Sequence, residues 1–317
     1  MMAHDQPVES AVSTSAIPTS AIPASTTPAA PHPVVAPAQL VFGHLGIEIE
    51  PLAVCAMASA FRYVRPIADG RDEFGGLEAA FDLFEAAGFN CEQFRTADSA
   101  QLLEAARREY ALTERRWRAA PMYAIHPETD PTTGSKVLLP VALSEFDSAS
   151  VRVTSIYADR PLSYRELSSA SLTSWGYAAP VPSLRAIIAP SRFSFARRAA
   201  RSLGLALQRM RVAEDGLPML SDWLASHPSR GDVAAYRHRL RAVSCGDSTY
   251  GRTRLVAALD TYGGANAHDA TRLGFLRSAE LHRAFLDGDD TALTAIVAVE
   301  RAALETVRVW REAEPES

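Results

Sequence analysis

Cys55 has the type and position for nucleophilic chemistry, standing about one turn after Pro51, which suits the first position of a helix. The partial positive charge of a helix N-terminus favours a thiolate, the form of cysteine that attacks a carbonyl carbon. The competing reading is a small buried hydrophobe, because residues 52–64 are apolar nearly all round. Asp159 lies in Ala158-Asp159-Arg160-Pro161-Leu162, directly after a strand-like run. A carboxylate at a strand end can orient a catalytic imidazole, and it can equally serve as a turn or cap residue. The imidazole would come from His126, after the short strand 122–125, or from His44, upstream of Cys55.

The remaining candidates thin out quickly. His227 and His238 flank helix ends, and His268 and His282 fall in helical stretches, where capping or solvated roles suffice. There is no H-E-x-x-H helix, G-x-G-x-x-G turn, P-loop or G-x-S-x-G elbow, so neither a metal nor a nucleotide cofactor is expected. The three cysteines, Cys55, Cys91 and Cys245, are odd in number and widely spaced without a C-x-x-C pair. Structural zinc is thereby disfavoured, and free thiols in a reducing, cytoplasmic setting are expected.

Composition narrows the partners. The net charge of −5 provides no basic field for nucleic acid or an anionic membrane. Lys136 is the lone lysine, and the arginines are interleaved with acidic residues along helices, a bias of genome composition rather than a phosphate-binding patch. No apolar run reaches the roughly 20 residues of a membrane-spanning helix. Oligomeric state is not specified by any pattern in the chain.

The elements that must position Cys55 and Asp159 follow from periodicity. Residues 1–38 are rich in Pro, Ala, Ser and Thr and read as a disordered leader. Leu40-Val41-Phe42 and Ile47-Glu48-Ile49 read as extended, and 52–64 as a buried helix. Helices over about 76–87 and from Asp98 towards Trp117 follow, the latter opened by Asp98 and Gln101 at capping-box spacing. Residues 137–146 and 151–157 are β-rich runs separated by Asp147-Ser148-Ala149-Ser150, a hairpin signal. Ser163 then caps a short helix over about 164–172. Beyond Pro180 the pattern is helical only, with segments near 191–213, 217–226, 231–243, 249–262, 268–287 and 290–312. The organisation expected is α+β: a domain over 39–178, then an all-helical domain over 179–317.

This order of features resembles the butirosin-biosynthesis acyltransferase family, papain-like thiol domains related to bacteriocin-processing peptidases and followed by a helical carboxyl-terminal domain. Cys55-Ala56-Met57-Ala58-Ser59-Ala60-Phe61 is similar to the family's Cys-x-x-x-Ala-Leu nucleophile helix. Ala158-Asp159-Arg160-Pro161-Leu162-Ser163 is similar to its Asp-Pro and Leu-Ser segment, with one residue inserted. The likeness is loose and covers about residues 39–312, including the run from Gly216-Leu217 to Trp223, the segment around Tyr250, and a last helix ending at Trp310. It implies a thiol acyltransferase or cyclase of specialised metabolism. Such an enzyme would take an acyl group from an acyl carrier protein or a small acyl thioester onto Cys55. In the family a histidine opens the strand before the Asp-bearing one. Here that strand reads Val137-Leu138-Leu139-Pro140-Val141-Ala142-Leu143, without a histidine. General acid–base catalysis is worth about 10²–10⁴-fold, so the base must be His126 or His44, or the family's reaction is lost. Two further readings follow: a papain-like pseudoenzyme that binds a biosynthetic intermediate or partner, and a non-covalent cyclase using a pocket between the two halves.

Overall fold

Within the proline-rich stretch, Val35–His44 forms helix α1. Leu40-Val41-Phe42, expected to be extended, lies inside it. Val34, Ala38, Val41 and Phe42 are all buried, at the i, i+4, i+7, i+8 spacing of one helical face, and this burial overrides the local β preference of valine and phenylalanine. The computed structural model describes residues 32–44, 47–58, 60–61, 63–64, 66, 83–84, 86–87, 90–94, 100–101, 104, 107–108, 111, 122–129, 131, 134, 136–163, 165–166, 175–179, 195–213, 216–244, 246–264 and 268–310.

Helix α2, Pro51–Met57, starts at the expected proline and stops well short of residue 64. The Ala60 N–H reaches back to the Cys55 carbonyl at 3.1 Å, a closing bond across five residues that ends the helix. Of the helix expected near 76–87, residues 83, 84 and 86 are described and helical; of the one beginning at Asp98, residues 100, 101, 104, 107, 108 and 111 are.

Among the described residues there are six strands: β1 Asn90–Phe94, β2 Met122–Thr129, β3 Lys136–Ser144, β4 Ser150–Thr154, β5 Asp159–Ser163 and β6 Trp175–Ala179. They form one sheet in the order β1-β6-β2-β3-β4-β5, with every pairing antiparallel. The expected hairpin is β3–β4, and its 145–149 connection is held by Asp147, whose carboxylate accepts from the N–H groups of Ala149 and Ser150. Asp159 opens a strand instead of following one, and the helix start comes after it. There Ser163 and Glu166 form the capping box: Ser163 Oγ accepts from Glu166 N at 3.2 Å, and Glu166 Oε2 accepts from Ser163 N at 2.9 Å.

Prolines mark where the ladders are one-sided. Pro127 lies beyond Ala124, where β6 ceases to pair with β2, and Pro140 precedes Ala142, where β4 begins to pair with β3. Pro161 is on the edge strand β5. Each missing N–H therefore costs little. The sheet is also strongly curled. Arg160 on β5 is linked through Val153 and Leu143 to Met122 on β2, six residues from Glu128 or about 20 Å along a strand. Yet Arg160 Nη2 lies 3.6 Å from Glu128 Oε2. Only a sheet rolled back across itself brings the two together.

The carboxyl-terminal part is helical, as expected: α3 Phe195–Val212, α4 Leu217–Ala225, α5 Arg230–Ser244, α6 Arg252–Tyr262, α7 Asp269–Asp287 and α8 Thr291–Trp310. One hydrophobic cluster joins these helices to α1, α2 and the Phe61–Val64 region. Helix α2 packs on α3 and α6, and α7 lies against α8.

At the centre of this cluster is a charged pair. Arg252 and Glu300 have fully buried side chains, with Arg252 Nε 2.6 Å from Glu300 Oε1 and Nη2 3.1 Å from Oε2. Arg252 Nη1 donates to the Phe61 carbonyl at 3.0 Å, and its guanidinium lies over the Tyr63 and Tyr250 rings. Tyr63 and Ser278 hydroxyls both donate to Glu300. His282 Nδ1 donates to the Ser278 carbonyl at 3.0 Å and its ring stacks on Tyr250.

Removing one partner of such a pair strands the other charge in the core. Arg252→Met is expected to lower the unfolding free energy by about 3–5 kcal/mol in urea titrations, and Arg252→Met with Glu300→Leu by less than the single change. Gly274 is equally constrained, since a Cβ there would meet the Ala303 Cβ at 2.6 Å. Gly274→Ala should cost about 1–3 kcal/mol by the same measurement, despite alanine's better helix propensity.

Candidate functional site

Cys55 is the fifth residue of α2 and is 2% exposed. Burial pushes its thiol up to about 11; the Arg254 guanidinium pulls the other way, and Asp247 pushes up again. Desolvation opposes the thiolate expected from the helix start, because Ala53–Met57 are buried around the sulfur. Arg254 is in any case committed to Asp247, with Nη2 2.7 Å from Oδ2. Asp247 in turn accepts from Thr249 N, Thr249 Oγ1 and Gly251 N at 2.8, 2.6 and 2.9 Å, and so holds the turn that leads into α6.

Asp159 is half-exposed at the start of β5, with both carboxylate oxygens engaged by one guanidinium. Arg152 Nε and Nη2 each lie 2.8 Å from it, and Thr154 Oγ1 lies 2.9 Å away. This fork, chiefly its hydrogen bonds, holds the Asp159 carboxyl below the usual carboxylate range. It is a cross-strand surface pair, of a kind worth about 0–1 kcal/mol, and among the described residues no imidazole is its partner.

His126 is buried on β2, and its orienting carboxylate is Glu128, two residues along the same strand. His126 Nδ1 lies 3.0 Å from Glu128 Oε1, both side chains being almost entirely closed to solvent. Among the described residues, no hydrogen bond or ion pair joins Cys55, His126 and Asp159. The first belongs to the helical core, the second to the inside of the curled sheet, and the third to its exposed edge. His44 ends α1, and nothing is described of its side chain; Cys245 and the side chain of Cys91 also lie outside the described residues.

Three features are absent from the reading of the sequence. Glu128 had a signal, since His-x-Glu on a strand places both side chains on one face. The Arg252–Glu300 pair had none, its partners lying on separate helices. His32, assigned with the leader, is packed beside Ala60 and accepts the Val34 N–H at Nδ1, 3.3 Å away. Burial and then the charge of Arg254 lower its pKa well below 6.5, against a hydrogen bond to the Ala60 backbone.

An open depression of about 350 Å³ lies between α1 and the segment leading to α2, lined by Gln39, Gly43, Ile47, Glu48 and Ile49. Gln39 Nε2 donates to the Ile49 carbonyl at 3.1 Å and joins its two sides. Its described lining contains none of the three candidate residues and no residue of the carboxyl-terminal helices. Among the described residues no three His, Cys, Asp or Glu side chains are grouped to hold a metal, and no helix is long and apolar enough to cross a membrane. No protein-family model matches this chain, and no curated protein matches it.

The burial of His282 makes stability depend on pH. Burial, then Arg252, lowers His282 from 6.5 to about 3, so the ring is neutral when folded. The unfolded chain gains a proton below pH about 6.5 that the folded chain refuses, so the stability is full above that pH and is lost as pH falls towards 3. His282 contributes about 1.4 kcal/mol per pH unit across that window. Urea unfolding at pH 7.5 and 5.5 should show wild type losing about 1–3 kcal/mol and His282→Gln losing clearly less.

Proposed function

We propose that this chain is a binding protein of specialised metabolism, a papain-like pseudoenzyme that holds a biosynthetic intermediate or partner without forming a covalent bond to it. The observation that carries this reading is the state of Cys55: closed to solvent, with its thiol pushed up to about 11. At pH 8 such a thiol is ionised in about one molecule in a thousand, and no substrate carbonyl has a described path to it. Covalent acyl transfer needs an exposed, ionised sulfur with a base in reach. Here the two partners assigned to it are occupied elsewhere, Asp159 by Arg152 and His126 by Glu128.

The papain-like ancestry and the biosynthetic setting rest on the likeness of residues 39–312 to the butirosin acyltransferases. An acyl carrier protein or a small acyl thioester is then a bound partner, with its thioester left intact. A cytoplasmic, reducing location accords with a free, buried Cys55.

Iodoacetamide labelling of the native chain tests the reading. Cys55 should stay unlabelled at pH 6 and at pH 8 over an hour, and become fully labelled in urea, by peptide mass spectrometry. Fast labelling of the native chain near pH 6 overturns it in favour of a thiol nucleophile.

A further inference from the structure

The inside of the curled sheet is separate from the main hydrophobic cluster. Residues opposite one another in an antiparallel ladder share a face, so the register assigns His126 and Glu128 to the face of Leu139, Val141 and Leu143. The ladder carries that face on through Val153 and Val151 to Arg160 and Leu162. The six apolar residues in this set are buried, yet none belongs to the main hydrophobic cluster, which takes Ala142 from the opposite face of β3. The curled sheet thus encloses an apolar interior of its own, with three polar side chains at one end.

Within it, His126 Nε2 is buried and has no hydrogen-bond partner among the described residues. A buried ring nitrogen without a partner is costly, and buried polar atoms are nearly always paired. The same-face neighbours across β3 and β4 are aliphatic and offer it nothing. Glu128 fixes what this nitrogen can do. Its Oε1 takes the Nδ1 side of the ring, and its Oε2 lies near Arg160, 3.6 Å away. A carboxylate only accepts, so Nδ1 carries the proton, and a neutral ring presents Nε2 as a bare lone pair. Arg160, half-exposed, stands where this polar end meets solvent.

We propose that His126 Nε2 is the acceptor of a ligand site inside the curled sheet, taking an O–H or N–H from a small molecule whose body is otherwise apolar. Glu128 is the positioning residue: it sets the ring's orientation and tautomer without touching the ligand. The aliphatic wall takes up the apolar body, the combination of an apolar lining and few polar anchors that small-molecule sites use. The inference deepens the binding role above by naming its residue and ligand class, and it rests on that reading only in being non-covalent.

The full chain labelled with ¹⁵N-histidine and titrated with 4-methylphenol, an apolar ring with one O–H, provides the test. Long-range proton–nitrogen correlation spectra should show His126 protonated at Nδ1 and bare at Nε2. The phenol should then shift the Nε2 resonance saturably, with a Kd on the order of 1 mM or tighter. Glu128→Gln should weaken this binding at least tenfold and raise the fraction of ring protonated at Nε2, a change of tautomer that loss of packing alone does not produce. A wild-type ring protonated at Nε2, or the absence of a saturable shift, overturns the proposal. The outcomes are separable: fast alkylation of Cys55 would leave this site standing, and a failed phenol titration would leave the Cys55 result untouched.

Discussion

The buried pair of Arg252 and Glu300 sets the terms on which the helical part can fold. A guanidinium with no exposure must find an acceptor for each of its nitrogens, and here those acceptors come from three places in the chain. Glu300 belongs to the last helix, Tyr250 to the turn before α6, and Phe61 to the segment after α2. The pair therefore fixes where the amino-terminal segment sits against the carboxyl-terminal helices. Cys55, a few residues before Phe61, is carried into the core by the same anchoring. The burial of its thiol is a consequence of architecture, because the segment that bears it is wanted for packing.

The sheet divides the remaining work between its two faces. One face, through Ala142, rests on the main cluster beside α1. The other curls around its own aliphatic residues and encloses His126 and Glu128. Asp159 lies on neither interior, since β5 is an edge strand and its first residue projects to solvent beside Arg152. A histidine, a cysteine and an aspartate that look sequentially ordered for a catalytic site are thus drawn into three environments of different dielectric. The electrostatics of each is set locally: desolvation for Cys55, a guanidinium fork for Asp159, a neighbouring carboxylate for His126.

Much of the fold was legible where a single periodicity dominated. The six carboxyl-terminal helices fall within a few residues of the segments read from apolar spacing, and the β3–β4 hairpin follows from two β-rich runs around an Asp/Ser turn. Legibility failed where tertiary burial decided. Leu40-Val41-Phe42 has strand-like composition but is helical, because Val34, Ala38 and Val41 make a buried stripe with it. β1, Asn-Cys-Glu-Gln-Phe, has neither alternation nor β-branched residues and pairs with β6, more than 80 residues later. Of the candidate site, the strand from Met122 was visible but was ended at residue 125, which left His126 outside it, and the partner of His126 was assigned to Asp159, the more distant carboxylate. The rule that neighbours two apart on a strand share a face would have selected Glu128.

The separation between Tyr63 and Glu300, 237 residues, also bears on how the chain is made. At roughly 5–20 residues per second, the ribosome delivers Glu300 about 10–50 s after Tyr63. For the first part of that interval Val34, Phe42, Val54, Phe61 and Val64 have been synthesised, while the carboxyl-terminal helices that cover them have not. A nascent chain of this design exposes its stickiest segment first and completes its core last. Its yield in a cell is therefore governed by how well that segment is shielded during synthesis, by a holding chaperone or by provisional contacts with the sheet, as much as by the stability of the finished molecule.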